Sequence, residues 1–149
     1  MLSAIHYGKV DGCSLKQDDI VHLETTVDLA TGNNAEFVFY DRNATKPYSV
    51  AFTDLSKLAT EVAWDLITET PQLDGYCKYF LDRHTPEKYC DRMERRQAEF
   101  LLKHAVRLSV MTRIGVINES KAEIVRKILA ETGVNLPVVV KTSWYFLGQ

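Results

Sequence analysis

Between residues 91 and 107 the chain gathers five cations, Arg92, Arg95, Arg96, Lys103 and Arg107, among the carboxylates of Asp91, Glu94 and Glu99. A tight arginine group of this kind can grip phosphates, which is the local chemistry a nucleic-acid contact requires. The same pattern also describes a solvated face in which acids and bases balance one another. A lone Gln97-x-Glu99 pair adds little by itself, because most such pairs are surface polar residues. The formal net charge of −2 excludes a protein-wide positive field, so any contact with nucleic acid has to be made locally.

Just upstream, the stretch from Thr68 to Arg92 has no firm periodicity and contains Pro71, Gly75 and Pro86 together with Tyr76, Tyr79, Phe80 and Tyr89. Four aromatics are out of place in a polar linker. The stretch reads as a lid or recognition loop, or as a loop-borne helical hairpin. Metal chemistry finds no support. His6, His22, His84 and His104 include no pair at helical i, i+4 spacing, and Cys13, Cys77 and Cys90 form no CxxC pair. Reduced thiols and no metal are expected.

The elements that must position these residues are short. Asp19 to Thr25 reads as a buried strand, Thr26 to Ala30 as a brief helix closed by Gly32 and Asn33, and Glu36 to Tyr40 as a strand rich in aromatic and β-branched residues. Asp41 to Ala44 reads as a turn, since Asp and Asn side chains cap their own backbone. A short helix is expected at Asp54 to Ala59. The run Arg95 to Leu102 fits a helix on propensity and is open at this level. Arg113 to Ile117 is a strand, and Asn118 caps a following helix whose apolar stripe is Ala122, Val125, Ile128 and Leu129, ended by Gly133. Val138 to Phe146 closes the chain as a strand.

A chain of 149 residues, 46% hydrophobic and 26% charged, is long enough for one domain, 1–149, with one core. No apolar run reaches the roughly 18 to 20 residues of a membrane span, and the start Met-Leu-Ser-Ala-Ile-His-Tyr lacks a signal-peptide layout. A soluble, cytoplasmic protein with no membrane partner is expected.

Several stretches, taken in order, resemble one family. Arg95-Arg96-Gln97-Ala98-Glu99-Phe100-Leu101 resembles the strand that carries the catalytic glutamate in DarT toxins, ADP-ribosyltransferases acting on bases of single-stranded DNA. Met1 to His6 with Gly8-Lys9-Val10, Asp19 to Leu23, Phe37 to Phe39 with Asp41, Ile114 to Val116, and Val140 to Phe146 agree with other segments of that family. The resemblance implies an α+β fold, an ADP-ribosyltransferase-like split β-sheet core with flanking helices, incomplete at the N-terminus. It makes Arg95 to Leu102 a strand, with Gln97, Glu99 and Leu101 on one face and Ala98, Phe100 and Leu102 on the other.

It further implies Glu99 as the catalytic carboxylate, NAD as co-substrate, single-stranded DNA as the target, and a macrodomain antitoxin (DarG-like) as partner. Breaking the bond between nicotinamide and ribose builds positive charge on the sugar, and a preorganised anion stabilises that charge. By the same resemblance Tyr76, Tyr79 and Tyr89 could stack on unpaired bases while Arg92, Arg95 and Arg96 hold phosphates. Arg95 has two other expected roles, pairing with Glu94 or positioning Glu99. Relatives often carry a His in the turn where Asn43 stands here. Asn can hydrogen-bond but cannot exchange a proton near neutral pH. A His and an Arg that contact NAD lie upstream of the matched region in the family. Their absence is expected to reflect a misassigned start, a front supplied by another chain, or a catalytically inactive remnant acting as a binding module.

Overall fold

A computed structural model describes residues 2–68, 91–92 and 94–146. In chain order the elements are α1 (Leu2–His6), β1 (His22–Glu24), α2 (Val27–Thr31), β2 (Phe37–Tyr40), β3 (Ala51–Phe52), α3 (Leu58–Glu61), α4 (Trp64–Thr68), β4 (Glu99–Leu102), β5 (Arg113–Val116), α5 (Glu119–Thr132) and β6 (Val138–Val140). The strands form two three-stranded sheets, β1-β5-β6 and β3-β2-β4. Each sheet belongs to its own compact unit, one made within 1–32 and 106–148 and the other within 33–105.

In the first unit β5 is central, antiparallel to β1 and parallel to β6, with α5 as the crossover. Asn118 starts α5 by accepting from the Lys121 N–H at 3.0 Å, and Gly133 ends it at φ +68°, where a Cβ would be strained. Ile114, Val116 and Ala122 are buried, with Val125, Leu129, Leu136 and Val138 packed against them. Ile128, expected on that stripe, is 51% exposed, because at 100° per residue it falls at the edge of the stripe set by Ala122, Val125 and Leu129.

Two further expectations change here. The first strand covers only His22–Glu24 and is not buried, since Leu23 is 52% exposed. The last strand stops at Val140, because Thr142–Trp144 tightens into a 3-10 turn closed by the Trp144 and Tyr145 N–H groups donating to Lys141 and Thr142 carbonyls. That turn lays Trp144 over Gly115, where a Cβ would sit 2.5 Å from the indole ring. It also lets the Tyr145 hydroxyl donate to the Ile20 carbonyl at 2.7 Å.

The second unit is built on β2. Phe39 pairs with Phe52 of β3 and Phe100 of β4, both antiparallel, and the rings stack: Phe39 to Phe52 at 5.1 Å and Phe37 to Phe100 at 5.3 Å between centroids. Phe39 is fully buried. Aromatic cross-strand pairs of this kind stabilise a sheet by roughly 0.2 to 1 kcal/mol each. Strand β3 had no sequence expectation; two residues carry too little pattern to read. The expected strand from Arg95 is shortened. Residue 95 is still helical and 96–97 form a turn, with Arg96, Gln97 and Ala98 N–H groups donating to the carbonyls of Arg92, Glu94 and Arg95. Of that run only Arg95 stays helical, the helix closes in the turn at 96–97, and the ladder to β2 begins only at Glu99.

Candidate active site

Register decides where Glu99 points. Tyr40 of β2 lies opposite Glu99, while Phe39 lies opposite Phe100, so period-two alternation puts the aromatic stack on one face and the carboxylate on the other. Glu99 and Leu101 therefore share a face, as expected, but Gln97 falls outside the strand. The Glu99 side chain is half-buried at the first residue of β4.

The turn that leaves β2 bends back toward this carboxylate. Asp41 is buried, and its Oδ1 accepts from the Val50 N–H at 3.0 Å, which pins the two ends of the turn together. Asn43 accepts through Oδ1 from the Thr45 N–H at 2.9 Å, and the Ser49 hydroxyl donates to the Asn43 carbonyl. The chain turns later than the expected Asp41 to Ala44: 41–42 only bend, and the turn itself is closed by the Lys46 N–H donating to the Asn43 carbonyl, with the Asp41 and Asn43 side chains holding it by accepting from backbone N–H groups. With the turn closed, the Ala44 N–H donates to Glu99 Oε2 at 3.4 Å, a long and weak bond. Among the described residues it is the one donor to Glu99, so the carboxylate keeps acceptor capacity.

The arginine cluster divides. Arg96 is anchored, its guanidinium donating to the Leu66 carbonyl of α4. Arg95 is 43% exposed and pairs with Asp91 at 3.3 Å rather than with Glu94. Arg92 is half-buried on the helical residues before the turn. Lys103 pairs with Glu36 at 2.7 Å. Tyr76, Tyr79 and Tyr89, with the rest of 69–90, lie outside the described residues.

Sequence reasoning missed the ion pairs behind the turn. Arg42 is only 13% exposed and reaches Asp41, Asp91 and Glu94. Burial pulls its guanidinium pKa down, but the three carboxylates outweigh that and hold it above the ordinary value. Tyr48 donates to Glu94 at 2.6 Å, and this bond, with burial, raises the phenol above its ordinary range. The Asp41-Arg42 dipeptide was visible as charge, but not its partners some fifty residues on.

Among the described residues no group of three His, Cys, Asp or Glu side chains is placed to hold a metal, and no helix is long and apolar enough to cross a membrane. A half-buried carboxylate with one weak donor among the described residues does fit a sugar, whose hydroxyls are donors seeking an acceptor.

The two small sheets with their flanking helices have an ADP-ribosyltransferase-like fold. The structure is similar to that of Thermus sp. 2.9 DarT in complex with NAD+, at a TM-score of 0.79 and 26% identity over 97% of this chain and 66% of that one. It is similar also to Thermus sp. 2.9 DarT in complex with ADP-ribosylated ssDNA, at a TM-score of 0.77 and 26% identity, covering 97% of this chain and 63% of that one. The family model described as ssDNA thymidine ADP-ribosyltransferase, DarT, matches residues 1–146, and the chain belongs to that family. A curated DNA ADP-ribosyl transferase of Thermus aquaticus is 29% identical over 148 residues, which is 98% of this chain and 58% of that protein. The chain therefore spans a little over half the length of that relative.

Proposed function

We propose that this chain carries the catalytic carboxylate of an enzyme that transfers ADP-ribose from NAD onto a thymidine base of single-stranded DNA, with Glu99 in that role. The observation that carries the reading is the half-buried Glu99 at the start of β4, facing the closed turn and held, among the described residues, by one weak donor. Family membership and the likeness to DarT bound to NAD+ and to ADP-ribosylated ssDNA support the substrate classes.

NAD supplies the ADP-ribosyl group and nicotinamide as its leaving group. Glu99 accepts a hydrogen bond from a hydroxyl of the nicotinamide-side ribose, and its fixed negative charge opposes the positive charge that grows on the sugar. A rigid strand holds that charge in place, so no reorganisation is needed as the bond breaks. The ring N–H of thymine must lose its proton as the nitrogen bonds to the sugar, and Glu99 is the acceptor for it. Arg92 and Arg95 steer the DNA backbone, and Asn43 serves through hydrogen bonding alone.

A growth-arresting toxin restrained by a macrodomain antitoxin is the biological role that family membership favours. The test is to incubate the protein with NAD and short oligonucleotides with and without thymidine, and to look for the mass of an added ADP-ribose. An adduct confined to thymidine-containing strands supports the reading. Unmodified oligonucleotides together with retained DNA binding favour a catalytically inactive binding module.

A further inference from the structure

The turn after β2 meets two separate stretches of chain. Its Ala44 N–H faces Glu99, while Arg42, Lys46 and Tyr48 meet the carboxylates at positions 91 and 94. Arg42 is the hub, with Nε 3.0 Å from Asp41, and Nη1 3.3 Å from Asp91 and 3.6 Å from Glu94. Its guanidinium also lies 5.3 Å from the centre of the Tyr48 ring. Glu94 is 15% exposed and receives Arg42, Lys46 and the Tyr48 hydroxyl. A carboxylate this sheltered relies on those three partners for its hydrogen bonds and ion pairs, so the contacts hold as a set.

The contacts of Arg42, Lys46 and Tyr48 are to Asp41, Asp91 and Glu94 and not to Glu99, yet they join the turn to the helical residues from which β4 emerges. We infer that Arg42 and Glu94 form a clasp that sets the position of the Glu99 carboxylate. The clasp fixes the two sides of the site together, the Ala44 amide on one and the start of β4 on the other. Arg42 is thus a positioning residue. The consequence for rate rests on the reading of Glu99 as the reacting carboxylate, whereas the geometric claim does not. The competing account is local: Asp41 with Val50 and Asn43 with Thr45 close the turn unaided, and Arg42 only stabilises the unit.

The discriminating readout is the Ala44 amide proton shift in a 1H–15N spectrum. A carboxylate acceptor displaces that shift relative to Glu99→Gln, and the difference reports how closely the two groups meet. If the clasp positions Glu99, the difference falls by more than half in Arg42→Met, and Arg42→Lys, which keeps charge but not the forked reach, recovers only part of it. An undiminished difference in Arg42→Met, with the amides of the β2–β4 ladder unmoved, overturns the proposal. Should that variant not fold, Glu94→Gln breaks the clasp from its other side, with the same two outcomes. Transfer of ADP-ribose to a thymidine oligonucleotide forms the second arm, where misplacing Glu99 by about 1 Å costs up to about a hundred-fold in kcat. If Glu99→Ala leaves transfer intact, the catalytic reading fails while the spectral result still judges the clasp.

Discussion

The backbone N–H of Ala44 lies 3.4 Å from Glu99 Oε2, across 55 positions of sequence, and it is the contact by which the turn after β2 meets the start of β4. Its quality depends on how the turn is held, and the turn is held by side chains.

Asn43 is the first of these. Replacing it with Ala removes an acceptor for the Thr45 N–H and hydroxyl. A typical intramolecular hydrogen bond contributes on the order of 1 kcal/mol, so Asn43→Ala is expected to lower unfolding stability by about that amount in urea. An unchanged midpoint would show that the Asp41 to Val50 bond suffices to hold the turn.

Arg95 and Arg96 are neighbours with different expected behaviour. Arg95→Ala, at an exposed pair with Asp91, should reduce the slope of log affinity for single-stranded DNA against log salt by about 0.7, the loss of one phosphate contact. Arg96→Ala removes the donor to the Leu66 carbonyl and should lower stability instead. Equal slopes for Arg95→Ala and wild type would return Arg95 to a solvated face.

In the other unit, Gly115 faces Trp144 so closely that an added methyl group cannot be accommodated without moving the ring. Overpacking of this kind costs typically about 1 to 3 kcal/mol, so Gly115→Ala should lower the melting temperature and shift the tryptophan emission. A variant as stable as wild type would mean that the turn at Thr142–Trp144 yields freely.

His22 sits between Trp144 and Tyr145, its Nε2 buried without a hydrogen-bond partner among the described residues. Burial pushes its imidazole below the ordinary value of 6.5. The unfolded chain then binds the proton more readily than the folded one. The contribution of neutral His22 is therefore complete above about pH 6.5 and is lost as the pH falls through the lower folded value. Chemical denaturation from pH 7.5 to 5 should show stability declining in this window, and His22→Leu should flatten that part of the profile. A decline of the same size in the variant would assign it to other groups.

How far the sequence could be read depended on the range of the interactions. Asn118, Gly133 and the aromatic run Phe37 to Tyr40 announce a cap, a stop and a strand through local chemistry, and all three are present. Glu99 was singled out by resemblance alone, since Arg95 to Leu102 suits a helix as well as a strand. The structure divides that run between both, and the division point follows from pairing with β2. Arg42 was illegible for a related reason. Its importance lies in reaching Asp91 and Glu94, and nothing near residue 42 in the sequence records that meeting. The exposed Leu23 and Ile128 show the limit of apolar pattern, which marks a residue as apolar but not whether a neighbouring element covers it.

The central claim is that the Glu99 carboxylate stabilises the sugar as nicotinamide departs. The rate at which ADP-ribose is added to a thymidine-containing single strand, measured by mass for the wild-type protein and for Glu99→Ala, addresses it most directly. The account predicts a loss of about a hundred- to a thousand-fold in the variant, with the fold retained. Equal rates in the two proteins would contradict it.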